Sequence, residues 1–351
     1  MFAGPGEKIL LKPNLLVAEP PEKCVTTHPA VFKAVAEVFK EQGAILSYGD
    51  SPAMGTTAKA ARKTGISEVA DRMAIRQADF KTRVDVFFEK GIQNRRFTVA
   101  KAISDHDGVI SLPKLKTHGL EKITGAVKNQ FGCVPGPLKG EFHVRLPGAD
   151  DFANMLVDLN NYINPRLYVM DGIFGMEGNG PRGGTPRKMG VLLLSSDPVA
   201  LDATVCRLVH LNPGYVPTIV SGMNSGAGTF LENEIEIVGD DTQNLSFPDF
   251  DVDRQAVHPY RPGYIAGLLD RRLVPKPVIR EEKCVQCGLC VRMCPAVPKA
   301  LSFEDEAGAK PPVYDYDRCI RCFCCQEICP EQAVVLKTPA LRKIMNFIGI
   351  T

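Results

Sequence analysis

The chain has 351 residues, of which 44% are hydrophobic and 23% charged, a composition typical of globular proteins and not of disordered or fibrous ones. Its 42 Lys and Arg nearly balance its 40 Asp and Glu, and a net charge of +2 gives no bulk attraction to nucleic acid or to an anionic membrane. Apolar runs such as Val191 to Leu194 are far too short to span a bilayer. Because no basic and apolar stretch of a signal peptide follows Met1, we expect a cytoplasmic protein.

Residues 1–270 alternate short apolar runs with helical patterns. Lys8 to Leu11 predicts a strand, His28 to Gln42 has apolar residues at helical spacing, and Ala44 to Tyr48 predicts a second strand. Further apolar strands are predicted at 108–112, 167–170 and 191–194. Nearly continuous apolar strands are typical of a sheet that helices cover on both faces. The alternation therefore predicts an α/β layered domain with a largely parallel sheet flanked by helices.

Polar residues are predicted at four strand ends, namely Asn14, Asp50, Lys114 and Asp171. In open α/β sheets ligands bind at the carboxyl ends of the strands, so these four positions together indicate a binding site. For any one of them, a simple turn-forming role is the alternative.

A basic loop follows the strand at 108–112. It carries Lys114, Lys116, His118, Lys122 and Lys128 with few acidic residues nearby, and it contains glycines. Lysines and a histidine around such a loop favour a site for carboxylate or phosphate. A solvated basic face is the alternative.

The glycine-rich run 178–184 and the segment 197–202 can each be interpreted as functional or as structural. Backbone N–H groups of the run could cradle an anion, but it matches neither a P-loop nor a dinucleotide fingerprint, and a flexible lid is the alternative. Asp197 followed by Pro198 predicts a helix start, with Asp as the cap. Asp202 lies about one turn inside that helix and is less easily explained by structure alone.

Nine of the 12 cysteines fall between Cys284 and Cys329 in an internal repeat. The first copy, KCVQCGLCVRMCP, begins at Lys283, and the second copy, RCIRCFCCQEICP, begins at Arg318, 35 positions later. The spacing C-x2-C-x2-C-x3-C-P wraps an iron–sulfur cubane with three thiolates, and the fourth cysteine of each copy ligates the other cluster. Zinc is the alternative, but its structural sites use separated C-x2-C pairs.

Two [4Fe–4S] clusters are therefore expected in a reducing compartment. The predicted ligands are Cys284, Cys287, Cys290 and Cys329 for the first cluster and Cys319, Cys322, Cys325 and Cys294 for the second. Cys324, beside a ligand, is interpreted as a small apolar filler.

The repeat resembles the two-cluster bacterial ferredoxins over residues 277–337. The motifs KPNL, GDSP, LPKLKTH, TGAVKNQFG, MDGI with GNGPRGG, and SDPVALD occur in the order found in the family known as domain of unknown function 362, in its branch with a C-terminal ferredoxin module. The resemblance covers nearly the whole chain and implies the fold and the clusters, but no settled reaction. Members usually carry a strand and a helix ahead of the KPN segment, so this chain is expected to start late.

The predicted organisation is an α/β ligand domain at 1–270, a linker at 271–282, a small α+β ferredoxin-like domain at 283–337 and a helical tail at 338–351. We expect the two domains to be docked through the linker and surface contacts and to fold separately. The tail, apolar on one helical face, is interpreted as docking onto the body, with a membrane anchor as the weaker alternative.

The expected function is that of an iron–sulfur oxidoreductase, which relays single electrons between an external low-potential donor or acceptor and a small anionic substrate or cofactor. His118, Lys116 or Lys128 would supply the proton of a reductive step. Residues expected to bind the ligand are Lys12, Asn14, His28, Asp50, Lys114, Asn129, Asp171 and Asp202. No nucleic acid and no membrane span are expected, and self-association into a homo-oligomer is left open. The alternatives are an electron-transfer or ligand-carrier protein without chemistry of its own, or a subunit that docks to a larger redox complex.

Overall fold

The structure is a computed structural model, and it describes residues 2–136, 138–240, 245–257, 273–304 and 310–342. Its strands are β1 (Lys8–Pro13), β2 (Ile45–Tyr48), β3 (Arg76–Gln77), β4 (Arg83–Phe87), β5 (Arg96–Ala100), β6 (Gly108–Leu112), β7 (Lys114–His118), β8 (Lys122–Thr124), β9 (Leu167–Glu177), β10 (Thr185–Ser195), β11 (Lys276–Ile279), β12 (Leu301–Ser302), β13 (Val313–Tyr314) and β14 (Val334–Lys337). Helices of the first domain are α1 (Pro29–Glu41), α2 (Thr57–Thr64), α3 (Ile66–Arg72), α4 (Ala126–Asn129), α5 (Leu138–Arg145), α6 (Ala149–Ile163), α7 (Pro198–Leu208) and α8 (Pro217–Asn224).

The central sheet has eight strands in the order β3-β2-β1-β6-β9-β7-β8, with β10 paired to β9. Pairings along β3-β2-β1-β6-β9-β7 are parallel, whereas β8 and β10 run antiparallel to their neighbours. The first domain is therefore the predicted α/β layer with a largely parallel sheet, and β4 with β5 adds a separate antiparallel pair.

Pro113 divides one long extended run into β6 and β7. β6 pairs with β1 on one side, and both β6 and β7 pair with successive parts of β9 on the other. Proline has no N–H to donate to a ladder, so the pairing with β1 ends at Leu112. β7 then turns its free side to β8. The predicted basic loop is therefore corrected: Lys114 to His118 form β7 and Lys122 to Thr124 form β8, beyond the carboxyl end of β1.

Helices cover both faces of the sheet, and α1 and α7 begin at capping residues that the sequence predicts. In α1, Nδ1 of His28 accepts from the backbone N–H of Ala30 at 3.2 Å and Pro29 takes the first helical position, so the predicted helix is confirmed. α1 to α3 bury their apolar residues against one face of the sheet, and α6 packs against the other. α7 and α8 cover the β9–β10 pair. Asp197 caps α7 by accepting from Val199 and Ala200, as predicted.

One predicted strand end is corrected. Asp171 lies inside β9, which extends to Glu177, because the chain continues to pair with β7 and β10 instead of stopping at Asp171. Its side chain is fully buried within the domain.

The cysteine-rich module consists of two small antiparallel pairs, β11 with β14 and β12 with β13, and the helices Leu289–Met293 and Cys324–Ile328. The repeat is also present in the backbone: Gln286 and Arg321 have φ of 50° and 59°, and Gly288 and Phe323 have φ of 67° and 62°. Each pair is 35 positions apart in sequence, so the two copies form the same left-handed turns.

The module is joined to the α/β domain by a deeper contact than the predicted surface docking. Phe323 is 3% exposed and belongs to the apolar cluster around α6, while Ile328 packs with Val17, Val25 and Met176. The two parts therefore share buried apolar surface. Residues 258–272, which include the first two residues of the predicted linker, and residues 343–351 of the predicted tail lie outside the described residues.

Candidate functional site

A cavity of about 640 Å³ lies between the α/β domain and the module. Lysines of the α/β domain line one wall, and residues around the cysteines of the module line the other. From the first domain the lining includes Asn14, Asp50, Lys116, Lys128, Asn129, Phe131, Lys139 and His143, and from the module Arg292, Met293, Cys294, Pro295, Cys324, Glu327 and Ile328. A concave site of this size at an interface between two domains is typical of small-molecule binding.

Three lysines on three different elements meet at this cavity. Lys116 comes from β7, Lys128 from α4 and Lys139 from α5. Nζ of Lys139 donates to the carbonyl oxygens of Ser51 and Val134, at 2.9 and 2.6 Å. Burial lowers the pKa of Lys139 to about 8, against the opposing charge of Asp50. Lys128 and Lys139 make the α/β wall of the cavity cationic and suited to an anion.

The floor of the site is held together by contacts among four of the predicted residues, Lys12, Asn14, Asp50 and Asn129. Nζ of Lys12, which is fully buried, lies 2.9 Å from Oδ1 of Asp50 and 3.2 Å from Oδ1 of Asn129. Asn14 donates to the same Asn129 oxygen at 3.1 Å. A side chain at Gly132 would meet Asp50 at 1.8 Å, so only glycine lets this loop close over the ion pair. Asn14, Asp50 and Asn129 line the cavity, whereas Lys12 lies beneath it.

A second buried ion pair joins Lys114 to Asp171 at 2.8 Å. The same Asp171 oxygen accepts from the backbone N–H of His28 at 2.8 Å, while the imidazole of His28 caps α1. None of these three residues is among those that line the cavity. Their position supports the turn that carries the basic loop and gives no direct route to a ligand there.

Asp202 also lies away from the cavity wall. Its carboxylate accepts from the backbone N–H of Ala126 at 2.7 Å and of Val127 at 3.3 Å, at the start of α4. A side chain at Gly125 would meet Asp202 at 2.1 Å, which explains the glycine of the TGAVKNQFG motif. Burial raises the pKa of Asp202 to about 7, against these two hydrogen bonds. Asp202 thus holds the helix that presents Lys128.

The imidazole of His118 is turned toward the module and not toward the cavity. Its Nδ1 accepts from the backbone N–H groups of Leu120 and Glu121, both at 3.1 Å, and its Nε2 lies 2.9 Å from Oε1 of Glu327. Burial, followed by the charge of Lys128, lowers the pKa of His118 to about 4, so the ring is neutral near pH 7. His118 is therefore a bridge between the two domains, and its predicted role as a proton donor has no opening to the cavity.

Two cavity residues escaped the sequence reasoning, Lys139 and His143. His143 stacks on Phe152 with ring centroids 4.4 Å apart, its Nδ1 has no hydrogen-bond partner within the described chain, and it lines the cavity. Burial lowers its pKa to about 4. Both residues come from α5, which follows the TGAVKNQFG motif but carries no motif of its own. Only the proximity of α5 to the motif could have pointed to them.

A third missed residue is Glu121, which lies between His118 and Lys122 of the predicted basic loop. It is fully buried, and neither carboxyl oxygen has a hydrogen-bond partner among the described residues. Burial raises its pKa to about 8, against the charge of Lys128, with Asp150 and Glu327 raising it further. A protonated, uncharged Glu121 near pH 7 follows from this environment.

The thiols of the first predicted ligand set lie close enough for their charges to act on one another. Burial raises the pKa of Cys290 to about 11, and the charges that raise it further come from Cys329, Cys287 and Cys284. The backbone N–H of Ala333 donates to Sγ of Cys329 at 3.3 Å. The four predicted ligands of the first cluster are thus one another's electrostatic neighbours, as crossed ligation requires.

The second set has the same character. Burial raises the pKa of Cys319, and the nearby thiols that raise it further are Cys322 and Cys294. The hydroxyl of Tyr314 donates to Sγ of Cys325 at 3.2 Å.

Cys324 is not enclosed as an apolar filler would be. It is half-buried and lines the cavity beside Cys294. Each copy of the repeat therefore presents one sulfur to the cavity: Cys294 of the first copy, a predicted ligand of the second cluster, and Cys324 of the second copy.

The glycine-rich loop is packed against the module instead of standing free as a lid. The side-chain amide of Gln326, 1% exposed, donates to the carbonyl oxygens of Asn179 and Gly180 at 2.9 and 2.8 Å. Arg182 donates to the carbonyl oxygen of Ile328 at 2.5 Å and pairs with Glu19. The loop closes one side of the interface between the domains.

No helix within the described ranges is long and apolar enough to cross a membrane. The family described as "Domain of unknown function (DUF362)" matches residues 9–207, and the family described as "4Fe-4S dicluster domain" matches residues 271–333. A 4Fe–4S domain that serves electron transfer is therefore present, and the sequence-based expectation of an iron–sulfur, metal-binding protein is confirmed.

A relative and a solved structure are among the proteins similar to this chain. The relative is the "Thylakoid-associated protein sll1697" of Synechocystis sp., 37% identical over 252 residues, which make up 68% of this chain and 76% of that protein. The structure is the lactate racemase apoprotein from Thermoanaerobacterium thermosaccharolyticum, at 11% identity and a TM-score of 0.41, over 59% of this chain and 50% of that one. The second likeness is too weak to carry an argument. By its match over more than half of its length, the chain belongs to the DUF362 family, with a 4Fe–4S dicluster domain at its C-terminal end.

Proposed function

We propose that this protein is an iron–sulfur oxidoreductase that exchanges single electrons with a small anionic ligand bound between its two domains. The observation that carries the proposal is the composition of the two cavity walls. Lys116, Lys128 and Lys139 line one wall, while Cys294 and Cys324 of the module line the other. A ligand held by the lysines would lie against Cys294, a predicted ligand of the second cluster.

The lysines are suited to bind the ligand and hold it in one orientation. Each charge-assisted hydrogen bond between an ammonium and a carboxylate or phosphate contributes about 1.5–3 kcal/mol. Apolar residues such as Leu16, Val144 and Ile328 line other parts of the cavity and would exclude water from the body of the ligand. Selectivity for small anions follows from this division between a cationic and an apolar side.

The residues that would hold the two [4Fe–4S] clusters are the crossed sets given above. When bound, such clusters supply or accept single electrons. Cys294 is the predicted ligand that stands in the cavity wall, so the second set is the one nearest the ligand. Cys287, the exposed thiol of the first set, lies where an external low-potential donor or acceptor could approach. Because thiols of this kind require reducing conditions, a cytoplasmic location is part of the proposal.

A ligand-carrier or electron-transfer protein without chemistry of its own is the second candidate. It is favoured by the position of His118, whose two ring nitrogens contact the backbone and Glu327 and leave no proton donor there for a bound substrate. His143, with its unpartnered Nδ1 at the cavity, is the group that an enzyme would use instead.

The test compares Lys128→Ala and Lys139→Ala with Lys63→Ala, a matched change of an exposed lysine on α2. Native mass spectrometry of anaerobically purified protein identifies a co-purifying small anion, and its affinity and its reoxidation of the dithionite-reduced protein are then measured. We expect both cavity variants to keep full iron content and to lose ligand binding by about tenfold or more, while Lys63→Ala matches the parent. Binding with full affinity in both cavity variants would contradict the proposal. Tight binding without reoxidation would favour the carrier.

A further inference from the structure

Lys116 differs in its partners from Lys12 and Lys114, two other lysines of the site that are fully buried. Lys12 and Lys114 each lie within 2.9 Å of a carboxylate oxygen. Lys116 has no ion pair with any described residue, although it is 1% exposed. Its Nζ donates to two neutral oxygens, the carbonyl oxygen of Val25 at 2.6 Å and Oδ1 of Asn14 at 2.8 Å.

An uncharged amine can donate two hydrogen bonds, and Lys116 donates two. A neutral Nζ has two N–H bonds, and with both of them donated to Val25 and Asn14 its lone pair remains free. A buried ammonium would instead need a carboxylate to offset the cost of its burial. Both hydrogen bonds can therefore form while Lys116 is uncharged, and its free lone pair is then able to act as a nucleophile.

The charged groups around Lys116 act in the same direction. Burial lowers the pKa of Lys116 well below its usual value, and the charges of Lys128 and Lys114 lower it further. Asp50 and Glu327 oppose this shift without reversing it. A desolvated lysine beside another cation is a known arrangement for an activated amine that attacks carbonyl carbon.

We propose that Lys116 forms a Schiff base with the carbonyl carbon of a 2-oxo acid whose carboxylate is held by Lys128 and Lys139. The inference deepens the proposed function, on which it rests, by naming the chemical class of its anionic ligand. All three lysines line the same cavity, so neighbouring amines can reach the two neighbouring functional groups of a 2-oxo acid.

The step balances without an oxidant or a reductant. The nitrogen lone pair attacks the carbonyl carbon, a C–N bond forms, and the C–O bond breaks. The carbonyl oxygen leaves as water with the two amine protons. A proton taken from solvent then gives the iminium form, whose one N–H can keep the hydrogen bond to the carbonyl oxygen of Val25.

The test is reductive trapping on the anaerobic, cluster-loaded protein. Pyruvate and sodium cyanoborohydride are added at pH 7, and the modified lysine is located by peptide mass spectrometry. We expect Lys116 to be labelled about tenfold or more above exposed Lys63, because an ordinary lysine with a pKa of about 10.4 is almost wholly protonated at pH 7. Lys116→Arg should lose the label at this position.

Asn14→Asp serves as a second variant if Lys116→Arg does not fold. It places a carboxylate beside Nζ and favours the ammonium, so labelling of Lys116 should fall severalfold while iron content stays unchanged. Labelling of Lys63 at the level of Lys116 or above would overturn the inference.

Pyruvate binding is followed in parallel by the spectrum of the reduced protein, so that the two proposals fail separately. Binding that depends on Lys128, without any label on Lys116, would overturn the Schiff base and leave the proposed function standing. Absence of binding in the cavity would overturn the Schiff base and count against the proposed function.

Discussion

The two copies of the cysteine repeat have the same backbone and opposite surroundings. Both form left-handed turns at equivalent positions, yet Cys287 of the first copy is exposed, whereas its counterpart Cys322 is 8% exposed. The first copy has Gly288 where the second has Phe323. The difference teaches that the repeat specifies the same backbone turn in both copies. The residue between the ligands differs, and Phe323 buries this turn of the second copy, whereas Gly288 leaves the turn of the first copy exposed at Cys287.

The largest expected effect comes from the residue that makes this difference. Phe323→Ala removes a buried aromatic side chain from the interface and should lower the free energy of unfolding by about 3–5 kcal/mol. Gly288→Ala, the matched change in the first copy, places a side chain at a φ of 67° and should cost only about 1 kcal/mol. Urea unfolding of both anaerobic variants, followed by circular dichroism, measures the two values. Equal losses would mean that Phe323 does not anchor the module.

A smaller effect is expected from the buried acid near the second copy. Glu121 has a pKa of about 8 in the folded protein and near 4.5 when unfolded, so the folded state holds the proton more tightly. Stability should then fall as pH rises between these two values, by on the order of 2 kcal/mol from pH 5 to pH 7. In Glu121→Gln, which cannot ionise, this decline should be absent. Urea midpoints between pH 5 and 8.5 check it, and parallel pH profiles of parent and variant would contradict the assignment.

The smallest effect concerns a single hydrogen bond to sulfur. Tyr314→Phe removes the hydroxyl that donates to Sγ of Cys325. Hydrogen bonds to cluster sulfurs help to set reduction potentials, so the variant should make the second cluster harder to reduce and leave the first unchanged. A redox titration followed by electron paramagnetic resonance separates the two signals. A change confined to the first cluster would contradict the ligand assignment.

Local patterns in the sequence were sufficient for five strands of the sheet (β1, β2, β6, β9 and β10), for α1 and for the cap at Asp197, because each depends on residues close together in the chain. The two ligand sets stay a prediction, which rests on the spacing that each copy carries. The role of Asp202 could not, because its partners are backbone N–H groups more than 70 positions away.

The site was predicted in outline only. Lys116, Lys128 and Asn129 do line the cavity, but Lys139 and His143 come from a helix without a motif. The orientation of His118 toward Glu327 depends on the docking of the module, and that docking depends on Phe323 and Gln326 meeting surfaces far away in sequence. Periodicity and spacing carry no information about such contacts.

The central claim is that an anion bound by the lysines lies against the second predicted cluster, whose ligand Cys294 stands in the cavity wall. The most direct measurement is the magnetic relaxation of pyruvate labelled with carbon-13 in its carboxylate, added to the reduced, cluster-loaded protein. Close approach to a paramagnetic cluster should speed that relaxation in the parent and in Lys63→Ala, and the enhancement should disappear in Lys128→Ala and Lys139→Ala. Enhancement that persists in both cavity variants, or none in the parent at concentrations where pyruvate binds, would contradict the account.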